Sequence, residues 1–271
     1  MTDQLQNSAN ILETQNVSMI FGGLVALDDV NFQVARHSIT ALIGPNGAGK
    51  TTFFNCLTGI YTPTRGQVVF AAPVPGTDEP QIKTLRGLSP DKITTLGMAR
   101  TFQNIRLFNN LTVLENVLIG CHCRMKAGLF GALFRDKRTR DEERDMAEYS
   151  YQLLVKYGLG NVVNDLAKNL PYGDQRRLEI VRALATRPSL LLLDEPAAGL
   201  NNSETRDLED LIHLIREREN LSILLIEHDM SLVMSISEKI YVMEYGRVIA
   251  QGPPERIKTD PQVIKAYLGE E

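Results

Sequence analysis

One run of nine residues has the composition and spacing of a phosphate-binding loop. It fits the pattern Gly-x-x-x-x-Gly-Lys-Thr, follows an apolar stretch at residues 39–43, and leads directly into a helix-forming segment at residues 51–57. Glycines let consecutive backbone N–H groups turn toward phosphate oxygens, and the following helix points its positive N-terminus at the same anion. Lys50 is placed to reach the outer phosphates, and the Thr51 hydroxyl to bind Mg²⁺. The pattern predicts a nucleoside triphosphate site built by Gly44, Pro45, Asn46, Gly47, Ala48, Gly49, Lys50, Thr51 and Thr52.

A second run ends in two adjacent carboxylates. Four leucines at residues 190–193 are typical of a buried parallel strand, and Asp194 and Glu195 follow directly. Ligands collect at the carboxyl ends of strands in open α/β sheets. Asp194 is therefore predicted to hold Mg²⁺, directly or through water. Glu195 is predicted to polarise an attacking water as a general base.

The strands that must position these residues follow from the hydrophobic pattern. Alternation predicts antiparallel strands at residues 11–17 and 26–34, leading to a strand at 38–43. Near-continuous apolar runs predict buried parallel strands. Further strands are predicted at residues 66–70, 189–193 and 221–226, with a late hairpin formed by residues 239–243 and 247–250. Residues 71–90 contain four prolines and are predicted to form a loop.

Helices are predicted between these strands. Residues 111–157 follow a helical pattern, with a charged, solvated face at 135–148, and a further helix is predicted at 174–186. Asn201 and Glu204 have the spacing of a capping box, so another helix is predicted to begin there. Strands that alternate with helices after residue 38 predict an α/β fold with a mostly parallel sheet.

Composition narrows the class of protein. The chain has 271 residues, enough for one large domain, and its net charge of −4 gives no support for general nucleic-acid binding. It contains no apolar run of membrane-spanning length, and its polar N-terminus lacks the pattern of a secretion signal, so a cytoplasmic location is expected. Cys121, His122 and Cys123 are spaced poorly for a tetrahedral metal site, and a helix segment is the preferred interpretation.

Between the two carboxylates and the phosphate loop, residues 170–184 resemble the signature segment of the ATP-binding cassette (ABC) family. Other family motifs follow in the same order along almost the whole chain. Phe21 stands where that family has its adenine-stacking aromatic, and Gln103 where it has a Mg²⁺-contacting glutamine. Residues 198–201 match the loop that communicates across the dimer, and His228 matches the histidine that senses the γ-phosphate.

The resemblance implies a fold and a set of ligands. The fold is a P-loop NTPase of ABC type, with an N-terminal antiparallel β subdomain and a helical subdomain inserted at about residues 104–170. A C-terminal hairpin and helices would occupy about residues 239–271 of this single domain. The ligands are ATP and a Mg²⁺ ion held by Thr51, Gln103 and Asp194, with Glu195 and His228 as catalytic residues.

The resemblance also implies that two cassettes sandwich two ATP molecules. In that arrangement the signature of one subunit acts on the ATP of the other, and here it consists of Pro171, Tyr172, Gly173, Asp174 and Gln175. Pro171 departs from the serine that donates a hydroxyl to the γ-phosphate in the family. Proline has neither a hydroxyl nor an N–H, so the composite site that this signature closes is predicted to be the weaker one.

Several segments are similar to the larger ATPase subunit of bacterial branched-chain amino acid importers, including residues 21–27, 99–103, 111–117 and 172–180. Insertions at about 71–90 and 121–144 support that subunit over its shorter sister. The resemblance implies a heterodimer with a sister ATPase, two membrane permeases and a periplasmic binding protein, with the chain at the cytoplasmic face of the inner membrane. Related transporters for urea, amides or lipopolysaccharide remain alternatives, as does a regulatory ATPase without a membrane partner.

Overall fold

The computed structural model describes residues 9–74, 76–77, 79–124 and 137–268. Within these ranges the chain forms two sheets. The strands in chain order are β1 (Asn10–Phe21), β2 (Leu24–Ala35), β3 (Ile39–Ile43), β4 (Arg65–Ala72), β5 (Gln81–Thr84), β6 (Met98–Arg100), β7 (Leu190–Asp194), β8 (Ser222–Ile226), β9 (Lys239–Glu244) and β10 (Arg247–Gly252).

Helices connect these strands and cover the larger sheet. In chain order they are α1 (Lys50–Leu57), α2 (Pro90–Leu96), α3 (Val113–Cys121), α4 (Lys137–Lys156), α5 (Tyr172–Leu184), α6 (Asn202–Glu219), α7 (Met230–Ile236), α8 (Pro254–Lys258) and α9 (Pro261–Leu268). Over the described ranges, no helix combines the length and the apolar character that crossing a membrane would need.

The larger sheet has six strands in the order β10-β9-β3-β8-β7-β6. All neighbouring pairs are parallel except the β9–β10 hairpin. Strands β3, β7 and β8 are buried along their whole length, which explains their apolar runs. The mostly parallel sheet predicted from the sequence is confirmed, and it brings the ends of β3, β7 and β8 to one edge.

Alternate residues of this sheet point into two different cores. One core lies toward the helices and includes Ile43, Leu193 and Leu225. The other lies toward the smaller sheet and α1, and it includes Leu42, Leu192 and Leu224. The larger sheet is therefore packed on both faces. The edge at which β3, β7 and β8 end is supported by two separate apolar layers.

The smaller sheet is antiparallel, with the strand order β2-β1-β4-β5. This confirms the predicted N-terminal antiparallel region. The predicted loop at residues 71–90 is wrong in part, because β5 pairs with β4 and α2 begins at Pro90. Strand β5 is a polar, half-exposed edge strand of four residues, so it carries no alternating pattern that a sequence analysis detects.

The helix predictions can be compared with the structure: the helix predicted at 174–186 is α5, and the one at 51–57 is α1. Helix α6 begins after an Asn201 N-cap whose capping box with Glu204 is complete, as predicted. The helical pattern at 111–157 corresponds to α3 and α4, and residues 125–136 of that stretch lie outside the described part of the chain. The division of the domain at about residues 104, 170 and 239 stays a prediction.

Candidate functional site

The phosphate loop connects β3 to α1, and close contacts require two of its glycines, Gly44 and Gly49. Gly44 has φ 150° and Gly49 has φ 102°, where a side chain is strained. A Cβ on Gly44 would lie 2.1 Å from the Met243 carbonyl oxygen. A Cβ on Gly49 would lie 2.8 Å from the Ala26 carbonyl oxygen, and one on Gly246 would lie 2.6 Å from the same atom. The loop, β2 and the β9–β10 turn therefore meet at one carbonyl group.

Lys50 folds back onto this loop. Its Nζ donates hydrogen bonds to the carbonyl oxygens of Gly44, at 2.6 Å, and Pro45, at 3.0 Å. Burial lowers the pKa of Lys50, and the nearby carboxylates of Glu195 and Asp194 oppose that effect. The loop thus holds the Lys50 amine close to two carboxylates.

Asp194, at the end of β7, is held by a buried ion pair. Its Oδ2 accepts a hydrogen bond from Arg100 Nη2 at 2.7 Å, and the two side chains are 6% and 7% exposed. The Arg100 Nη1 group also donates to Asn55 Oδ1 at 2.8 Å and Thr58 Oγ1 at 3.2 Å, both on or next to α1. Arg100 therefore joins β6, β7 and α1 beneath the phosphate loop.

Glu195 lies in a tight turn directly after this strand. Its φ of 47° is left-handed, and its backbone N–H donates to the Ile226 carbonyl at 2.9 Å. Gln103 Nε2 donates to Glu195 Oε2 at 2.7 Å, and His228 Nδ1 lies 3.7 Å from the same oxygen. The structure brings together three predicted site residues that are distant in sequence, at the end of the sheet beside the loop.

A cleft of about 480 Å³ extends from the phosphate loop. Glu195 lines this cleft together with four exposed or half-exposed apolar residues, Phe21, Leu24, Val25 and Tyr245. Phe21 is 39% exposed and makes an edge contact with Tyr61, with ring centroids 5.2 Å apart. The cleft has the chemistry of a nucleotide site, because it combines a phosphate loop with exposed apolar groups that can pack against a base.

The comparisons with known proteins identify the family. A profile of the ABC transporter family matches residues 27–198, more than half of the chain. The chain is 46% identical over 263 residues to the "High-affinity branched-chain amino acid transport ATP-binding protein LivG" of Escherichia coli (strain K12), covering 97% of this chain and 99% of that protein. The chain belongs to the ABC transporter family. As a member, the cassette is an ATPase whose activity is coupled to transport.

Further similarities extend over the same length. The cassette is 47% identical over 263 residues to the "High-affinity branched-chain amino acid transport ATP-binding protein BraF" of Pseudomonas aeruginosa, again covering 97% and 99% of the two chains. Residues 247–271 match a profile described as branched-chain amino acid ATP-binding cassette transporter. A crystal structure of the ADP conformation of MJ1267, an ATP-binding cassette of an ABC transporter, superposes with a TM-score of 0.81 at 32% identity, covering 97% and 100%.

The residues predicted to form the signature lie at the start of α5. Pro171 occupies the N-cap position and makes no side-chain capping hydrogen bond. Tyr172 Oη donates to the Ala198 carbonyl at 3.0 Å, and its ring lies against Gly199. None of the described signature residues lines the cleft of the phosphate loop; Pro171, Gly173 and Asp174 line a different pocket, beside α6.

The structure also shows site residues that the sequence analysis missed. Glu227 is buried, and its carboxylate accepts hydrogen bonds from the backbone N–H groups of Ala197 (2.7 Å), His228 (2.9 Å) and Asp229 (3.2 Å). It thereby fixes the turn after Glu195 to the turn that holds His228. Its position next to His228 was the signal in the sequence that could have identified it. Arg100 and Tyr245 were missed as well, although Arg100 stands close to Gln103 and Tyr245 precedes a glycine.

Proposed function

We propose that this cassette is the ATP-hydrolysing subunit of an importer for branched-chain amino acids. The observation that carries the proposal is the 46–47% identity to LivG and BraF proteins over 97% of the chain. The match of residues 247–271 to a branched-chain amino acid transporter profile supports it, because it lies outside the part shared by ABC transporters in general. Transporters for urea, amides or lipopolysaccharide remain the alternative.

ATP is proposed to bind along the cleft described above. The N–H groups of the phosphate loop and the N-terminus of α1 surround the phosphates, and Lys50 turns from two carbonyl oxygens to the β- and γ-phosphates. Phe21 offers an aromatic face for the adenine, and Tyr245, an 86% exposed residue of the same cleft, offers a second one. Thr51 and Thr52 line the same cleft at the start of the helix.

Mg²⁺ fits the donor set of Thr51, Gln103 and Asp194. Hydroxyl, amide and carboxylate oxygens are the hard ligands that this ion prefers. Arg100 occupies Asp194 Oδ2, which leaves the other carboxylate oxygen for the ion or its waters. When bound, the ion neutralises part of the charge that develops on the phosphates during hydrolysis.

Glu195 is proposed to act as the general base. Its carboxylate takes a proton from a water as the water oxygen bonds to the γ-phosphorus, and the bond to the β–γ bridging oxygen breaks to release ADP and phosphate. His228, whose ring lies 3.7 Å from Glu195 Oε2, is placed to donate to the γ-phosphate beside the same water. Glu227 supports both residues by holding their turns.

The signature residues lie outside the cassette's own cleft, and this supports a two-subunit site. We propose that Pro171, Tyr172, Gly173, Asp174 and Gln175 act on the ATP of a sister ATPase subunit, and that the sister's signature acts here. Closure of the pair would drive two transmembrane permeases that receive substrate from a periplasmic binding protein. The cassette would then lie at the cytoplasmic face of the plasma membrane, bound through the permeases.

Uptake of labelled leucine tests this proposal, in cells whose own copy is replaced by Lys50→Ala or Glu195→Gln. Lys156→Ala and Glu238→Gln are matched controls, because both side chains lie in solvent-accessible ion pairs away from the cleft. We expect both site variants to abolish leucine uptake, both controls to retain it, and urea uptake to be unchanged. Normal leucine uptake in the site variants would refute the substrate assignment, and a loss of urea uptake instead would support the alternative.

A further inference from the structure

Arg176, on the first turns of α5, fastens this helix to the backbone around Gln103. The two members of the Arg176–Glu179 ion pair are each 1% exposed. Arg176 Nη1 donates to the Phe102 carbonyl at 2.9 Å and to Glu179 Oε2 at 3.1 Å, and Nη2 donates to the Gln103 carbonyl at 2.8 Å. Glu179 Oε1 accepts from the Arg106 N–H at 3.2 Å. The pair therefore binds three backbone groups of one segment.

The energetics of this pair indicate that it positions the neighbouring backbone rather than adding to the stability of the fold. Burial raises the pKa of Glu179, and the neighbouring arginines and the Arg106 N–H only oppose that effect. A buried ion pair often contributes no more to stability than an apolar pair of the same volume. An apolar pair, however, could not bond the carbonyl groups of Phe102 and Gln103. The function of the pair is therefore to fix this backbone relative to α5.

Two short routes lead from Arg176 to Glu195. In the first, Gln103, held by its own carbonyl, donates its amide to Glu195 Oε2 at 2.7 Å. In the second, Arg176 Nη2 donates to Tyr172 Oη at 3.3 Å, and Tyr172 donates to the Ala198 carbonyl at 3.0 Å. The Ala198 N–H in turn donates to the Glu195 carbonyl at 3.2 Å. Arg176 thus reaches both the side chain and the backbone of Glu195.

We propose that Arg176 is a positioning residue for Glu195, acting through Gln103 and Tyr172. It does not contact the nucleotide cleft, so it acts on catalysis only by placing the carboxylate that takes the proton from water. Because Arg176 and Tyr172 belong to the helix that carries the signature residues, a displacement of that helix moves this chain's own Glu195. The inference rests on the proposed function of the signature. It implies that when this signature binds the ATP of the sister subunit, the position of Glu195 in this chain's own site changes.

Steady-state ATP hydrolysis tests the inference, in the full-length chain assembled with its transporter subunits. Arg176→Lys retains the charge beside Glu179, but an ammonium lacks the planar fork that spans two carbonyl groups. We expect kcat to fall about tenfold, with the KM for ATP changed by less than about twofold, since only the placement of the base is altered. Arg216→Lys is the matched control, because Arg216 also bonds a carboxylate and a carbonyl but is partly exposed and does not line the nucleotide cleft. This control should retain the kcat of the parent chain.

A double-variant cycle separates positioning from a general structural role. If Arg176 acts largely through Gln103, then in a Gln103→Ala background Arg176→Lys should lower kcat by less than about threefold. Tyr172→Phe, whose ring is partly exposed and keeps its packing, should lower kcat about threefold by itself through the second route. Equal effects of Arg176→Lys in both backgrounds, or a KM that rises in step with the fall in kcat, would overturn the inference. Because phosphate release is the readout, an error in the transported solute would leave these results unchanged.

Discussion

Arg100 and Asp194 form a buried ion pair, and removal of either partner should be costly to the stability of this domain. The Asp194 carboxylate sits at the end of β7 with Arg100 as its charged partner, and both side chains are nearly inaccessible to water. Arg100 also donates to Asn55 and Thr58, and its guanidinium lies 5.4 Å from the Phe54 ring and 5.2 Å from the Phe102 ring. Arg100→Ala would remove all of these contacts and leave an uncompensated buried carboxylate.

The magnitude follows from this burial. Removal of one member of a buried pair costs about 3–5 kcal/mol, and one kcal/mol lowers the Tm of a domain of this size by about 2–4 °C. We therefore expect Arg100→Ala to lower Tm by roughly 10 °C, measured by thermal unfolding of the full-length chain. Arg247→Ala is the matched control. Arg247 pairs with Asp28 at the surface, where a pair contributes about 0–1 kcal/mol, so Tm should fall by at most about 4 °C.

The proposed Mg²⁺ site gives this prediction a second arm. In Arg100→Ala the Asp194 charge lacks its partner. A bound divalent cation should therefore stabilise this variant more than it stabilises the parent chain. Addition of Mg²⁺ to the ATP-bound protein should raise Tm further in Arg100→Ala than in the parent. A decrease in Tm no larger than that of Arg247→Ala would refute the energetic argument. An equal effect of Mg²⁺ on both proteins would refute the role of Asp194 at the cation site.

Three further predictions concern single positions. Pro171→Ser supplies a hydroxyl at the N-cap of α5 and should raise ATP turnover in the assembled transporter by up to about tenfold; no gain in phosphate release would count against a weak composite site. Gly49→Ala places a methyl group 2.8 Å from the Ala26 carbonyl and should weaken ATP binding more than about tenfold in a titration, whereas unchanged affinity would show that the loop adapts. Burial raises the pKa of the Cys56 thiol to about 12, so iodoacetamide at pH 8 should label Cys56 only after unfolding, as peptide mass analysis would show.

The sequence was most informative for structural features that are determined by residues close together in one segment. The phosphate loop, its flanking strand and helix, and the capping box at Asn201 depend on local spacing, and the structure has them where the pattern places them. Parallel strands β7 and β8 are recognisable because burial on both faces requires an uninterrupted apolar run. Strand β5 and the three-residue β6 lack such a run, and their pairing partners alone determine that they are strands.

The site residues that escaped prediction depend on contacts between distant segments. Arg100 pairs with Asp194 across 94 positions, and Arg176 bonds the Phe102 carbonyl across 74. Glu227 stands next to His228, but its importance lies in bonds to the Ala197 N–H and to its own turn. A single sequence shows the types of these residues but not which of them are in contact. Their roles could therefore be recognised only from the folded structure.

The Ala26 carbonyl, against which Gly49 and Gly246 both pack, sets a fixed length in the binding cleft. The Asp28 N–H donates to the Gly246 carbonyl and the Gly246 N–H to the Ala48 carbonyl, each at 2.9 Å, so strand, loop and turn are locked together. The parts of β2, of the phosphate loop and of the β9–β10 turn that line the cleft are therefore held at fixed distances from one another. In the proposed binding mode, ADP and ATP place their bases and first two phosphates alike, and the cassette distinguishes them by the groups that contact the third phosphate, Lys50 and His228 among them.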